Sequence, residues 1–150
     1  MIRTAAIAAL LVAAAPPEAD PKDQVLAAVH AALQAINTND AALLERIMLP
    51  QAIIVAQRYD KDTGALVTRP YTVAQMAERL RTPGQRVDER IQNPTILIQR
   101  DLAHVWSRYT FDLDGQRLHC GVDSFGLAKV DGAWRLTSLT WTAEPKGCPQ

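Results

Sequence analysis

Apolar side chains recur at every third or fourth position in three segments of the first half of the chain. Residues 20–37, 40–49 and 72–81 carry this pattern, which predicts three amphipathic helices. Asp20 followed by Pro21 is typical of a helix N-cap and first turn, and Thr72 can cap the third helix. Pro50 must end the second helix, because proline cannot continue it.

The remaining segments alternate between apolar and polar residues, which predicts strands. Residues 52–59 and 66–70 flank a turn-rich segment and indicate a hairpin. Four longer runs follow at 87–99, 102–113, 116–130 and 133–142, with Asp-Gly turns at 114–115 and 131–132. The order predicts a single α+β domain over residues 20–150, with the helices on one face of a curved antiparallel sheet.

Two-residue Asp-Gly turns fix strand register, so side chains can be assigned to faces. If Leu113 pairs with Gln116, then Trp106 lies opposite Asp123. One face then holds His104, Trp106, Arg108, His119, Asp123, Phe125, Leu127, Trp134 and Leu136, and the other holds Ala103, Val105, Tyr109, Phe111, Cys120, Val122, Leu139 and Trp141. We expect the first face to meet the helices and line a pocket, because it mixes aromatic and ionisable groups. The second face is more uniformly apolar.

A family resemblance rests on these strands. Its residues are Ala103-His104-Val105-Trp106 with Tyr109 and Phe111, Asp114-Gly115, His119-Cys120-Gly121-Val122-Asp123 with Phe125 and Leu127, and Asp131-Gly132-Ala133-Trp134-Arg135-Leu136. Together with the element order, they resemble the nuclear transport factor 2-like superfamily and its SnoaL-like and lumazine-binding-type branch. The resemblance implies a cone-shaped, cystatin-like fold with three N-terminal helices inside a bent sheet. It also implies a homodimer formed through the outer sheet face. Because this fold hosts many unrelated functions, it does not identify a reaction.

Asp123 is the leading catalytic candidate. A carboxyl group in the apolar face of a sheet should have a raised pKa and could act as a general acid or base. There are two alternatives. Asp123 could anchor a ligand, or it could be a structural carboxyl group paired with the Trp106 indole or with Arg69. His119 lies on the same face and is the second catalytic candidate, with a position at the pocket rim as the alternative.

Further residues are candidates for ligand binding. Arg69 could clamp an anionic ligand, and Tyr59 and Tyr71 could donate hydrogen bonds to a carbonyl group. The complete set is Tyr59, Arg69, Tyr71, Met76, Trp106 and Phe125. These residues favour a small apolar or aromatic ligand. Any reaction would be acid–base chemistry of the isomerase, dehydratase or cyclase type.

Other site classes have little support in the sequence. The three histidines fall on separate predicted elements without ligand spacing, so we expect no metal site, and no cofactor motif occurs. The formal net charge is zero, and no block of basic residues suggests nucleic-acid binding. A non-catalytic binding or interaction module that acts through the outer sheet face is the alternative function.

The chain opens with Arg3 and an apolar run over residues 5–15, which Pro16-Pro17 ends. This run is shorter than the roughly 20 residues that span a bilayer, so residues 1–19 resemble a secretory signal peptide cleaved somewhere between about 14 and 19. The sequence therefore predicts a periplasmic or secreted protein without a stable membrane anchor. In that setting the two cysteines, Cys120 and Cys148, favour a disulfide, with Ala143 opposite Cys120 and a packed Cys120 thiol as the alternative.

Overall fold

A computed structural model describes residues 19–82, 84 and 86–148. Within these ranges the helices are α1 (Pro21–Asn37), α2 (Ala41–Ile47) and α3 (Val73–Arg81), and the strands are β1 (Met48–Tyr59), β2 (Leu66–Tyr71), β3 (Val87–Gln99), β4 (Leu102–Leu113), β5 (Gln116–Val130) and β6 (Ala133–Ala143). The predicted signal peptide lies outside the described residues, except for its last residue. No helix in the described part of the chain is long and apolar enough to cross a membrane.

The helices begin where the capping residues predict. The Asp20 carboxylate accepts a hydrogen bond from the backbone of Lys22, and Asp40 caps α2 in the same way. Thr72 and Gln75 form a reciprocal capping box at the start of α3. These local hydrogen bonds satisfy backbone donors that the first turn of a helix leaves free.

The six strands form one curved, open sheet in the order β2-β1-β6-β5-β4-β3. The predicted hairpin of β1 and β2 and the predicted meander of β3 to β6 are both present. Strand β1 runs parallel to β6, which the sequence did not predict. It begins at Met48, earlier than expected, because Met48 pairs with Leu136 across a register shift that also accommodates Pro50.

Two bulges decide which side chains face the helices. The turn between β4 and β5 has the predicted Leu113–Gln116 pair, but Phe111 pairs with His119 and Asp112 with Arg117. Leu118 is therefore the extra residue of a β-bulge, and the register beyond it moves by one. A second shift, at Thr137 in β6, places Leu136 and Leu139 on the same face, since they pair with Leu127 and Phe125.

These bulges contradict part of the predicted face assignment. The prediction for β5 is correct, because Asp123, Phe125 and Leu127 are buried toward the helices. The prediction for β4 is wrong, since Val105 and Tyr109 are buried whereas Trp106 is 52% exposed. Asp123 lies opposite Ser107, and Trp106 lies opposite Ser124. Leu139 and Trp141 of β6, predicted on the outer face, also lie on the concave side with the core.

The core lies between α1 and the concave face of the sheet. Fully buried side chains from both layers meet there, namely Val25, Val29, Leu44, Met48, Ile54, Val105, Phe125, Leu127 and Leu136. This packing fills one part of the concave side and leaves a cavity in the other part, where the carboxyl and aromatic side chains gather.

Candidate active site

A cavity of about 410 Å³ opens between the helices and the concave face of the sheet. Every helix and every strand contributes to its wall. Its lining includes Ile36, Leu44, Ala56, Arg58, Tyr71, Met76, Arg79, Leu80, Val87, Glu89, Tyr109, Phe111, Leu118, His119, Asp123, Leu139, Trp141 and Ala143. This volume is within the range of small-molecule sites, and the lining is mostly apolar with a few polar groups, as such sites require.

Asp123 is the most deeply buried ionisable group of this cavity. Only 1% of its surface is exposed, and no donor among the described residues reaches its Oδ2 atom. Ser107 lies opposite in the β4–β5 ladder, but its hydroxyl is engaged with the backbone of Gln92, at 3.0 Å from the carbonyl oxygen and 3.1 Å from the nitrogen. Burial, followed by the nearby charge of Glu89, raises the pKa of Asp123. We therefore expect Asp123 to carry a proton at neutral pH.

Glu89 is the partner of Asp123. The nearby charge of Glu89 helps to raise the pKa of Asp123, and burial raises the pKa of Glu89. The Asn37 side chain fixes the Glu89 backbone, because it accepts from Glu89 N at 2.7 Å and donates to Glu89 O at 3.0 Å. Because burial and mutual repulsion disfavour two charged carboxylates, we expect this pair to hold one proton at neutral pH.

Tyr109 and His119 form a second polar pair. His119 is partly exposed and follows the half-exposed Leu118, at the open mouth of the cavity. The Tyr109 hydroxyl donates to the carbonyl oxygen of Thr142 at 2.8 Å and lies 3.1 Å from His119 Nδ1. Because the hydroxyl has one proton, its bond to Thr142 leaves His119 Nδ1 as the donor to the phenol oxygen. Burial lowers the pKa of His119 to about 4, so the ring is neutral at pH 7 and its Nε2 atom is an acceptor. Phe111 stacks on the ring, with centroids 4.6 Å apart.

Gly121 makes this arrangement possible. A Cβ atom at this position would lie 2.0 Å from the carbonyl oxygen of Thr142, well inside contact distance. The absence of a side chain lets the end of β6 approach β5 closely enough for Thr142 to accept from Tyr109. Burial, together with the charges of Asp123, Glu89 and Glu144, raises the pKa of Tyr109, so its hydroxyl stays a donor.

Aromatic and cationic side chains line the mouth from the opposite side. The rings of Tyr71 and Trp141 are stacked, with centroids 6.3 Å apart. The Arg79 guanidinium lies 5.2 Å from the centre of the Tyr71 ring. Arg58, near the end of β1, completes this side of the lining.

The structure brings together only some of the candidates chosen from the sequence. Asp123, His119, Tyr71 and Met76 line the cavity. The remaining candidates lie elsewhere: Trp106 is on the convex face because of the β4–β5 bulge, Tyr59 is half-exposed at the end of β1, Arg69 is exposed on the edge strand β2, and Phe125 is wholly inside the core. Arg69 forms no ion pair with Asp123 in the described part of the chain.

Sequence reasoning missed Glu89 and placed Tyr109 on the wrong face. Glu89 stands between the charged residues Asp88 and Arg90, but it alternates with Val87 and Ile91 and therefore shares their face. Tyr109 was misplaced with the rest of β4 by the one-residue slip. The alternation around Glu89 could have placed its side chain on the inner face, whereas no sequence pattern indicates the bulge that reverses the face of Tyr109.

The predicted disulfide between Cys120 and Cys148 is present, with Cα atoms 5.5 Å apart. Cys120 pairs with Glu144 and not with the predicted Ala143, because the bulge in β6 moves the register by one residue. The bond ties the tail after β6 to the convex side of β5, directly behind His119 and Gly121.

No protein-family model and no curated protein sequence matches the chain. Solved structures do match. A nuclear transport factor 2-like protein from Cytophaga hutchinsonii superposes with a TM-score of 0.69 at 16% identity, over 83% of this chain and 98% of that one. A protein from Nostoc punctiforme with a cystatin-like fold gives a TM-score of 0.64 at 12% identity, over 83% and 92% of the two chains.

A third structure is assigned as the beta subunit of an aromatic-ring-hydroxylating dioxygenase from Novosphingobium aromaticivorans. It gives a TM-score of 0.67 at 13% identity, over 85% of this chain and 91% of that one. Identities this low establish the architecture alone, and the branch within the superfamily stays a prediction. The chain has the nuclear transport factor 2-like fold, as its sequence predicted.

Proposed function

We propose that this protein binds a small apolar or aromatic molecule in the concave cavity and catalyses a redox-neutral proton transfer on it. The observation that carries the proposal is the Asp123–Glu89 pair, a buried carboxyl couple that faces a mostly apolar cavity. Two carboxyl groups buried near each other without a cation partner within the described ranges are costly to fold, so their presence in a cavity favours a chemical role.

A pair that shares one proton holds an acid and a base at the same time. The ionised carboxylate can remove a proton from a carbon or hydroxyl group of the substrate, and the protonated carboxyl can donate its proton to a second substrate atom. The pair then again holds one proton, so the cycle closes without an oxidant or reductant. Isomerisation, dehydration and cyclisation all fit this balance.

His119 and Tyr109 support such a reaction from the mouth of the cavity. Neutral His119 presents Nε2 as an acceptor for a substrate hydroxyl or amide, since its Nδ1 is held by Tyr109. The Tyr109 hydroxyl is anchored to Thr142 and keeps the imidazole in one orientation. His119 and Asp123 are four residues apart on β5, or about 13 Å, so they would contact different ends of one substrate.

Hydrogen–deuterium exchange on small aromatic ketones tests the proposal. The full chain is incubated in D₂O with a panel of such ketones, and proton NMR follows exchange at the carbon next to the carbonyl group. We expect exchange above background with the wild type, and a loss of about 100-fold or more in Asp123→Asn and in Glu89→Gln. Asp62→Asn, which alters an exposed turn residue, is the matched control and should keep the wild-type rate. Exchange that persists in Asp123→Asn would refute the role of the pair.

We also propose a homodimer formed through the convex face of the sheet. Large apolar side chains are exposed there, with Leu97 at 61%, Leu102 at 63% and Trp106 at 52%. Exposed apolar patches of this kind are typical of interaction surfaces. Light scattering after gel filtration should give twice the chain mass for the wild type and the chain mass for Trp106→Glu. A monomeric wild type would contradict the dimer.

The disulfide supports export to the periplasm or the cell exterior, because such bonds persist in oxidising compartments. Fusing residues 1–20 to a reporter that is active only outside the cytoplasm tests this. We expect reporter activity, and an inactive fusion would contradict export.

A further inference from the structure

Two arginines of the cavity lining have no carboxylate partner among the described residues. Arg58 and Arg79 both line the cavity, and neither forms an ion pair within the described part of the chain. Arg81, two residues after Arg79 on α3, pairs instead with Glu45 and Glu78. Both guanidinium groups of the cavity lining are therefore available to an anionic ligand.

Arg79 is also held in place. Its guanidinium lies over the Tyr71 ring at 5.2 Å, and that ring is stacked on Trp141. An aromatic ring beneath a guanidinium group engages its flat face and leaves the N–H edges available for an anion. Arg58 approaches from β1, in register with Ala143 at the end of β6. An anionic group at the mouth can therefore be met by guanidinium groups from two different elements.

The strand geometry sets the length of the molecule that would fill the site. Asp123 pairs with Trp141 in the β5–β6 ladder, whereas Arg58 pairs with Ala143, two residues nearer the mouth. At about 3.3 Å per residue this separation is about 7 Å along β6, and the full span of β5 from His119 to Asp123 is about 13 Å. A ring with a short side chain that ends in an anion has this length.

We propose that the ligand of this cavity is an amphipathic monocarboxylate, in which an aromatic or apolar body lies against Tyr71, Trp141 and Met76 and the carboxylate binds Arg58 and Arg79. The inference rests on the proposed function, because it assumes that the cavity binds a small molecule. It adds the charge and orientation of that molecule: the anion lies at the mouth and the uncharged end reaches Asp123. Guanidinium groups bind carboxylates through paired hydrogen bonds, which gives the orientation its selectivity.

Calorimetric titration of the full chain with 3-phenylpropionate and with its neutral isostere 3-phenylpropanamide tests the inference. We expect the carboxylate to bind at least about tenfold more tightly than the amide, and added salt to reduce the difference because the mouth is exposed. The double variant Arg58→Gln/Arg79→Gln should bind both probes with the affinity that the wild type has for the amide. Arg46→Gln, an exposed arginine on α2 away from the cavity, is the control and should keep the preference.

The outcomes separate this inference from the proposed function. Equal binding of the two probes in the cavity would overturn the charge selection and leave the proposed binding function intact. Carboxylate binding that is unchanged in the double variant would also overturn it. Absence of binding by both probes would refute the ligand class, whereas loss of deuterium exchange in Asp123→Asn would still support the catalytic pair. The single variants, each expected to lose part of the preference, keep the test valid if the double variant does not fold.

Discussion

Replacing Asp123 by Asn should change how the free energy of unfolding depends on pH. As the pH rises from acidic to neutral, the variant should gain stability relative to the wild type. The substitution keeps the size of the side chain and removes its ability to ionise. Asp123 is 1% exposed, and burial followed by the charge of Glu89 raises its pKa. In the unfolded chain the same carboxyl would ionise with a pKa near 3.9.

The sign of the effect follows from proton linkage. The folded protein holds the Asp123 proton more tightly than the unfolded chain does, so unfolding releases that proton between about pH 4 and the raised folded pKa. The stabilising contribution is complete below the unfolded pKa and is lost as the pH rises toward the folded pKa. A single group changes the free energy of unfolding by at most about 1.4 kcal/mol per pH unit. Between about pH 5 and pH 7 the wild type should therefore lose about 2–3 kcal/mol relative to the variant.

Urea denaturation at several pH values between about 5 and 8, analysed for the wild type and Asp123→Asn in parallel, measures this difference. Titrating groups outside the Asp123–Glu89 pair are common to both proteins and largely cancel in the comparison. We expect the stability of the variant minus that of the wild type to rise by about 1 kcal/mol per pH unit. A difference that is independent of pH would refute the reasoning, because Asp123 would then be ionised in the folded protein.

Three further outcomes follow from the structure. Burial lowers the pKa of His119 to about 4, so its contribution to stability should be lost as the pH falls from about 6.5 to 4. Denaturation at these two pH values should show a loss of about 1–3 kcal/mol in the free energy of unfolding, reduced by solvent screening. This loss should be absent in His119→Phe. Gly121→Ala would place a methyl group against the Thr142 carbonyl oxygen and should cost at least about 1–3 kcal/mol in the free energy of unfolding; a neutral result would contradict the close approach of β6. Replacing Cys120 and Cys148 together by Ala should cost about 3–4 kcal/mol, as expected for a crosslink between residues 28 apart in sequence, and an unchanged denaturation midpoint would mean that the bond does not constrain the chain.

The sequence was sufficient for the element order, because its boundaries are set by local chemistry. Asp20, Asp40 and Thr72 cap their helices by bonds within a few residues, and the two Asp-Gly turns form the predicted hairpin ends. The disulfide was also predictable, because the chain has two cysteines and its apolar first residues predict export. These features need no knowledge of distant contacts.

The site was harder to predict, because it depends on residues that meet across the fold. One bulge at Leu118 exchanges the faces of β4, which moves Trp106 out of the site and Tyr109 into it. Glu89 and Asp123 lie on strands separated by β4, so no local sequence pattern indicates that their carboxyl groups interact. The parallel pairing of β1 with β6 is likewise a long-range contact without a local signal.

Carbon-detected NMR titration of the side-chain carboxyl groups tests the central claim, that Asp123 and Glu89 share a proton inside the cavity. In the wild type, we expect the Asp123 resonance to stay in its protonated position at neutral pH. We also expect Glu89→Gln to lower the Asp123 pKa, since it removes a neighbouring negative charge. Two independent titrations near pH 4, unchanged when the partner is replaced, would contradict the account.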